Sequence, residues 1–300
     1  MKQGFIRAAE PGNCPWASPT VCAWKSDCTI RVCVDYRILN EHNVKDAYPL
    51  PNIQIMRMAL WKMKIGATLD LASGYYQIGV NEKDQYLTAF ITHKGLYIYV
   101  VMPFVLYNAP ATFQRAMDLI FGSRIGVDMT VYMDDLCNFA LTAEALLDSL
   151  HRTFATLGLH GLVCKPAKCK LFQEEIHYLG YRVRNGTIYP DEKKIEKVRA
   201  WPFPQTGVQM QSFLGLCNYY RDLIQNYSGI SDPLYKVDHN TDIEKTAELE
   251  ERFDQLKSAI IANPVVRLPD VQKPFIVETD ASQIAIGAVL KQRDDDGTSM

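Results

Sequence analysis

Adjacent aspartates in Tyr132-Met133-Asp134-Asp135 lie between apolar residues, with Val131, Tyr132 and Met133 leading in and Leu136, Cys137 and Phe139 leading out. That pattern predicts a tight β-hairpin with the acid pair at its tip. Two ionised carboxylates side by side repel each other, and binding a divalent cation such as Mg²⁺ or Mn²⁺ is among the least costly ways to stabilise them in a partly closed site. An isolated Asp-Asp string is most often a solvated turn. A second apolar run, Ala67-Thr68-Leu69-Asp70-Leu71, changes that balance by setting another aspartate in a strand of alternating character, where an unpaired charge is a cost. Three carboxylates on neighbouring strands could hold two metal ions. Phosphoryl-transfer enzymes use such a set to activate an attacking hydroxyl with one ion and to stabilise a leaving pyrophosphate with the other.

The surrounding elements must position these acids. The N-terminal part is punctuated by Pro11, Pro15, Pro19, Pro49 and Pro51 and carries short β-type runs such as Arg31 to Tyr36, so it reads as strands and loops. The middle alternates strands with helices. A helix over Ala109 to Phe121 opens near Pro110, a favourable first-turn residue, and Glu144 to Leu157 places Leu146, Leu147, Leu150, Phe154 and Leu157 at helical spacing. This mixture is α+β. After the breaker Trp201-Pro202-Phe203-Pro204, Met210, Phe213, Leu214, Cys217 and Tyr220 recur at three- and four-residue intervals, as do Leu249, Phe253, Leu256 and Ile260 further on. A β-run from Pro274 to Thr279 then begins, which the chain end cuts short, and no internal repeat is visible.

At 300 residues, 48% hydrophobic and 22% charged, the chain can bury a core and fits two or more lobes of a soluble globular protein. Its longest apolar stretch, Leu96 to Ala111, contains Pro103, Asn108 and Pro110 and falls short of the roughly 18 to 20 residues a membrane helix needs. Charged Lys2, Arg7 and Glu10 with no apolar block do not make a signal peptide. Without one, eight cysteines favour reduced thiols in an intracellular compartment. The group His160, Cys164, Cys169 and His177 lacks the close CxxC pair of a zinc knuckle, and free cysteines are the simpler reading. The net charge of −2 does not suggest a nucleic-acid partner. From Lys165 to Ala200, however, nine Lys and Arg face five Asp and Glu, an excess of four positive charges that suits either a solvated face or phosphate contacts with a passing duplex.

The strings Leu69-Asp70-Leu71-Ala72-Ser73-Gly74-Tyr75-Tyr76-Gln77-Ile78, Met102-Pro103-Phe104, Asn108-Ala109-Pro110-Ala111-Thr112-Phe113-Gln114-Arg115 and Tyr132-Met133-Asp134-Asp135 together resemble the reverse transcriptase of gypsy-type LTR retrotransposons and their retroviral relatives. The similarity extends from Trp16-Ala17-Ser18-Pro19, Val34 to Asn40 and Tyr48-Pro49-Leu50-Pro51 to Tyr178-Leu179-Gly180-Tyr181, Ser212 to Leu216 and Glu278-Thr279-Asp280-Ala281-Ser282, nearly the whole chain. It implies a right-hand polymerase: fingers interleaved with palm over 1–185, thumb over 186–235, connection over 236–270 and an N-terminal fragment of a ribonuclease H-like domain over 271–300. The implied activity is RNA-directed DNA polymerisation, in which a primer 3′-hydroxyl attacks the α-phosphate of a deoxynucleoside triphosphate and pyrophosphate leaves.

By the same resemblance Asp70, Asp134 and Asp135 hold two Mg²⁺ ions, with Mn²⁺ as a substitute, and Lys168 protonates the leaving pyrophosphate or contacts a phosphate. Tyr75 and Phe104 border the nucleotide, Tyr75 occupying the space a ribose 2′-hydroxyl would need. Lys25 and Arg31 grip the triphosphate, and Arg37, Pro110 and Gln114 contact the template or frame the nucleotide pocket. Tyr178, Leu179, Gly180 and Tyr181 form a primer grip, with a plain strand corner at Gly180 as the alternative. The implied partners are an RNA or DNA template with its primer, deoxynucleoside triphosphates and the remaining Pol domains (protease, ribonuclease H and integrase). No membrane partner is expected, and the implied location is cytoplasmic, within a virus-like particle. Asp280 resembles the first metal-binding acid of ribonuclease H; the later acids would lie beyond Met300, so no ribonuclease H activity is expected of these residues.

Two departures stand out. Where the family reads Met-Pro-Phe-Gly-Leu this chain has Val105, although a glycine there permits φ > 0 and close approach of backbone to nucleotide. Asn138 interrupts the apolar strand after the acid pair and must find a partner. With the truncated ends, these support a second reading, a catalytically decayed nucleic-acid-binding remnant. A DNA-templated polymerase with a similar palm is a third, weakened by the breadth of the similarity.

Overall fold

The structure, a computed structural model, describes residues 4–10, 12–24, 30–262, 266–270, 273–281 and 286–293. Along the chain run β1 (Ile6–Ala8), β2 (Thr20–Trp24), β3 (Ile30–Val34), α1 (Arg37–His42), α2 (Ile53–Ala59), β4 (Ile65–Asp70), β5 (Phe90–Thr92), β6 (Gly95–Tyr99), α3 (Ala109–Phe121), β7 (Met129–Tyr132), β8 (Asp135–Ala140) and α4 (Ala143–Leu159). There follow β9 (Lys170–Gln173), β10 (Glu175–Tyr178), β11 (Tyr181–Arg184), β12 (Thr187–Pro190), α5 (Glu192–Arg199), α6 (Gly207–Tyr219), α7 (Tyr227–Tyr235), α8 (Ala247–Ile261), β13 (Val266–Arg267), β14 (Ile276–Ala281) and β15 (Ile286–Lys291). The chain divides into two compact units, one of Met1–Asn52 and Gly66–Phe172, the other of Ile53–Ile65 and Gln173–Met300.

In the first unit the main sheet has the order β7-β8-β4-β9. Alternation along β4 buries Ala67 and Leu69 and carries Asp70 to the strand's end, while β7 and β8 bury Met129, Val131, Leu136, Cys137 and Phe139. Two amphipathic helices contribute to the buried core. From α3 come Phe113, Met117 and Phe121, and from α4 Leu146, Leu150 and Leu157. Pro110 lies in the first turn of α3, where its missing N–H is no loss, and the hydroxyl of Thr142 caps α4 by accepting from the Ala145 N–H. The same unit holds a three-stranded sheet β1-β6-β5, the hairpin β2–β3 and a small core of Val34, Tyr36 and Phe90.

Asn138, fully buried on β8, does find partners. Its amide nitrogen donates to Ser149 Oγ (2.9 Å) and Thr153 Oγ1 (2.8 Å) on α4, while its Oδ1 has no hydrogen-bond partner among the described residues. Arg124 extends this network by donating to Thr153 Oγ1 (2.9 Å), Ser149 O (3.0 Å) and both oxygens of Asp128 (3.2 and 2.7 Å). Burial alone would raise the Asp128 pKa, but hydrogen bonds from Arg124 and Ser149 and the charges of Arg124 and Arg152 outweigh it and hold the carboxyl below its ordinary value. Val105 has φ of 81° in the left-handed region that glycine favours, so a β-branched residue occupies a conformation that a glycine would take without strain. Its carbonyl accepts from Asn40 Nδ2 (2.9 Å), and Asn40 Oδ1 accepts from the Tyr107 N–H (2.8 Å), a bracket that fixes this loop.

In the second unit the order is β10-β11-β12-β13, and β14–β15 forms a separate hairpin. Two tight turns join β10 to β11 and β11 to β12. Leu179-Gly180 (φ 47° and 72°) and Asn185-Gly186 (φ 48° and 67°) both show the type I′ pattern that suits strand twist. The helices α5 to α8 enclose a core of Val198, Met210, Phe213, Leu214, Cys217, Leu234, Phe253, Leu256 and Ile260, with the Phe213 and Phe253 rings 4.5 Å apart. The three- and four-residue spacing of these apolar side chains is the reason the segment is helical. Among the described residues no helix is long and apolar enough to cross a membrane, and the seven described cysteines are free thiols.

The buried Arg124 network yields a stability prediction. Arg124→Met leaves the largely buried Asp128 with only Ser149 and the rim residue Arg152, and should cost about 3 kcal/mol. Urea denaturation of both proteins checks this; a cost below about 1 kcal/mol would show that Arg152 and Ser149 suffice.

Candidate active site

The β7–β8 hairpin pairs Tyr132 with Asp135, so its two loop residues are Met133 and Asp134, and Asp135 opens the return strand. Met133 has φ of 50°, a costly conformation for a side chain of its size. Its N–H donates to Gln114 Oε1 (2.8 Å), and the Tyr75 hydroxyl reaches its sulfur (3.2 Å). Gln114 is fully buried on α3, and its amide nitrogen donates to Asp118 Oδ1 (2.9 Å) and the Val131 carbonyl (3.4 Å). In this arrangement Gln114 supports the hairpin from inside, with burial and these bonds engaging both ends of the amide.

The acid at the end of β4 is joined to this tip through the backbone. The Leu71 N–H donates to the Asp134 carbonyl (3.0 Å), and the Lys165 N–H to the Asp70 carbonyl (2.8 Å). Gln77 locks the same corner: its amide donates to Ala72 O (2.8 Å) and Val163 O (2.9 Å) and accepts from the Val163 N–H (2.7 Å). Gly74 lets the turn after β4 approach the tip, since a Cβ there would lie 3.0 Å from both Asp134 Cβ and the Phe113 ring. The single-turn helix Pro166–Lys168 ends with the Lys168 ammonium 2.6 Å from Asp70 Oδ2.

Charge decides the character of this corner. Protein packed around the tip limits hydration even though both side chains reach solvent, and this desolvation raises the Asp134 pKa, with the Asp70 charge adding to it and Lys168 opposing. Asp135 is pushed up to about 6, first by burial and then by Asp134 and Asp70, again with Lys168 opposing. The Lys168 ammonium is held above its ordinary value by its hydrogen bond to Asp70 and by the three carboxylate charges. Asp70, Asp134 and Asp135 thus lie close enough to feel one another. Among the described residues, no three His, Cys, Asp or Glu side chains converge into a ligating cluster. The donor chemistry nonetheless fits a hard divalent cation, because the carboxylate oxygens supply unneutralised negative charge beyond what one ammonium offsets.

Around the acids stands an aromatic wall. Tyr75 makes edge contacts with Phe104 (5.2 Å) and Phe113 (5.3 Å), and Tyr76 packs against Phe104 (4.8 Å) and stacks on Tyr99 (5.9 Å). Burial, then the Asp134 charge, raises the Tyr75 pKa and keeps the phenol neutral. Arg37 is exposed at the start of α1 and pairs with Asp35 (2.6 Å). Pro110 opens α3 next to Asn108, whose amide donates to Val44 O (2.8 Å) and accepts from the Asp46 N–H (3.1 Å). Arg31 lies on β3 opposite Ala23, and Lys25 falls outside the described residues. Tyr178, Leu179, Gly180 and Tyr181 form the β10–β11 turn of the second unit, and Asp280 lies on β14 opposite Gly287. Sequence reasoning assigned no separate role to Gln77 and did not single out Tyr219 beside the Leu179-Gly180 turn; only Gly74, set among larger residues in a strand-to-turn segment, carried a local signal.

A family model described as reverse transcriptase (RNA-dependent DNA polymerase) matches residues 24–183, and one described as an RNase H-like domain found in reverse transcriptase matches 246–300. The chain belongs to the reverse transcriptase family, with a ribonuclease H-like segment following, in the manner of gypsy-type retrotransposon Pol polyproteins. It is 39% identical over 300 residues to the Retrovirus-related Pol polyprotein from transposon 297 of Drosophila melanogaster (97% of this chain, 28% of that protein). It is 32% identical to that from transposon gypsy of the same fly (97% and 30%) and 31% identical to the Transposon Tf2-3 polyprotein of Schizosaccharomyces pombe (99% and 22%). The chain therefore spans less than a third of each of these relatives. Solved structures of the foamy viral protease-reverse transcriptase share the fold: one in complex with double-stranded DNA at TM-score 0.85 and 22% identity (99% of this chain, 52% of that one), another with an RNA/DNA hybrid at TM-score 0.82 and 23% identity (99% and 40%). The right-hand polymerase architecture expected from the motifs is thus the architecture found.

The raised carboxylates predict a pH effect. An acid whose folded pKa lies above its unfolded value binds more protons in the folded state, so stability falls as pH rises from about 4 to about 6. Asp135→Asn should raise the stability of the metal-free protein at pH 7 by roughly 1 kcal/mol, discounted for the solvent at the tip, and leave it unchanged near pH 4. Thermal melts at both pH values check this; equal effects at the two would contradict it.

Proposed function

We propose that this chain is the polymerase of its Pol polyprotein, extending a primer along an RNA or DNA template by metal-assisted nucleotidyl transfer. The observation that carries this reading is the gathering of Asp70, Asp134 and Asp135 at the end of one sheet, with the hairpin tip bonded to the backbone that follows Asp70. These three residues would hold the divalent ions, which when bound would activate the primer hydroxyl and offset charge on the leaving pyrophosphate. Lys168 keeps its proton at Nζ through its bond to Asp70, which suits a group that donates a proton to that pyrophosphate. Tyr75, wedged between Phe104 and Phe113, gives the nucleotide site a fixed wall against a ribose 2′-hydroxyl. Arg31 and Lys25 would grip the triphosphate, and Arg37 and Pro110 would border the template.

Fingers and palm would then run over 1–185, which includes the whole first unit, with the thumb over 186–235, the connection over 236–270 and the ribonuclease H-like fragment over 271–300. Protease, ribonuclease H and integrase would be the other parts of the polyprotein, acting together in a cytoplasmic particle. The neighbouring viral structures bound to double-stranded DNA and to an RNA/DNA hybrid support duplex binding as the mode of engagement. Val105 favours the second reading, a binding protein that has lost polymerisation, because strain at φ 81° lies one residue from Phe104.

Mg²⁺-dependent extension of oligo(dT) on poly(rA) separates the two readings. Under the first, the chain extends the primer and Asp134→Asn lowers the rate by at least roughly a hundredfold. Under the second, extension appears only in Val105→Gly, which should also stabilise the fold by about 1 kcal/mol through release of the left-handed strain. Extension by neither protein, or extension indifferent to Asp134, would overturn the proposal.

A further inference from the structure

The turn Leu179-Gly180 is held by more than its own strands. Tyr219, the last residue of α6, donates its hydroxyl to the Leu179 carbonyl, and Tyr220 donates to the Gly180 carbonyl (2.8 Å). Both loop carbonyls are thereby engaged by consecutive side chains. Tyr181 returns the contact by donating to the Tyr219 carbonyl (2.6 Å), an acceptor freed where α6 ends. Its ring stacks on Tyr219 (5.2 Å, 25°) and meets Tyr220 edge-on (5.3 Å), while the Arg57 guanidinium lies over the ring, 4.6 Å from its centroid, and pairs with Asp222 (2.8 Å). Leu179, at φ 47°, would resist this turn if left alone. Gly180 sits so close that a Cβ would come within 3.3 Å of the Tyr219 ring. A two-residue turn needs none of this to close a hairpin; the tyrosines act on its orientation.

We propose that Tyr219 and Tyr220 are positioning residues for the primer, clamping the Leu179-Gly180 turn to the end of α6 so that its backbone faces the primer strand in one fixed orientation. The inference rests on the primer-grip reading of Tyr178 to Tyr181. It makes helix end and turn one rigid piece, so that duplex affinity depends on two hydroxyls that need not touch the duplex themselves.

The test is fluorescence anisotropy of a labelled primer–template duplex with the full chain and its variants. Tyr219→Phe and Tyr220→Phe keep the rings and remove only the hydroxyls; each should raise the duplex Kd about threefold to tenfold, with the deoxynucleotide KM at saturating duplex unchanged. Tyr227→Phe, which loses a hydroxyl contact to Tyr235 (3.2 Å) elsewhere in the same unit, should leave the duplex Kd unchanged. Gly180→Ala should weaken duplex binding through its steric conflict with Tyr219. If Gly180→Ala weakens binding and both tyrosine variants bind as the parent does, the clamp is overturned while the primer grip stands. If Gly180→Ala, folded by its thermal melt, also binds normally, the primer-grip reading falls and the clamp with it. Tyr219 is half-exposed, so its variant reports even if Tyr220→Phe loosens the core.

Discussion

Three carboxylates that repel one another must share the end of one sheet, and the first unit is arranged around that constraint. Coulomb repulsion at such separations is too weak to unfold a domain, and it adds to the desolvation that, as the larger cause, pushes Asp135 up to about 6. The fold resists it with uncharged bonds. The Gln114 amide holds Met133, the Leu71 N–H holds the Asp134 carbonyl and Gln77 fastens the neighbouring corner, none of which weakens when the acids change charge. Among the described residues Lys168 opposes the charge directly, and it sits on a short helix that backbone bonds tie to the residues around Asp70. Rigid scaffolding and adjustable charge are thus carried by different groups.

The two units solve a similar problem in different ways. Each exposes a two-residue turn with a non-glycine residue at positive φ, Met133 in one and Leu179 in the other. In each, the strain is countered by side chains from a helix distant in sequence: Gln114 of α3 on the Met133 N–H, Tyr219 and Tyr220 at the end of α6 on the loop carbonyls. A turn free to choose its conformation would sample several orientations. Fixing it from outside costs about 1 to 3 kcal/mol of backbone strain and leaves a single one.

Much of this was legible in the sequence, for physical reasons that differ by residue. Apolar runs flanking Asp134 and Asp135 can satisfy their backbone only by pairing, so the hairpin followed from the pattern, and the helices α3, α4, α6 and α8 followed from three- and four-residue spacing. The acid of β4 stood out because a charge in an alternating strand demands compensation. Burial was not legible in the same way. Gln114 lies in a motif that reads as a nucleotide contact; that its side chain turns inward and bonds the hairpin depends on the packing of α3 rather than on neighbours in sequence. The tyrosine clamp joins residues about forty positions apart, a separation that no local pattern encodes.

Asn138 and Val105 depart from the sequence pattern in opposite ways. Asn138 is an amide in an apolar strand, and α4 meets it with Ser149 and Thr153, which Arg124 and Asp128 bind in turn, so five side chains act together where one apolar residue would have served. Such a set is not easily acquired by a chain drifting without constraint, since each polar member is costly until its partners are present. Val105 has a simpler setting. Asn40 brackets its loop through backbone atoms, which any residue offers, and nothing among these contacts compensates a β-branched side chain at φ 81°. The loop is built as for glycine and carries valine, so the strain falls beside Phe104 and the wall of Tyr75 and Tyr76 while the carboxylate corner keeps its full set of supports. The strain at Val105 therefore falls beside the aromatic wall rather than at the acids.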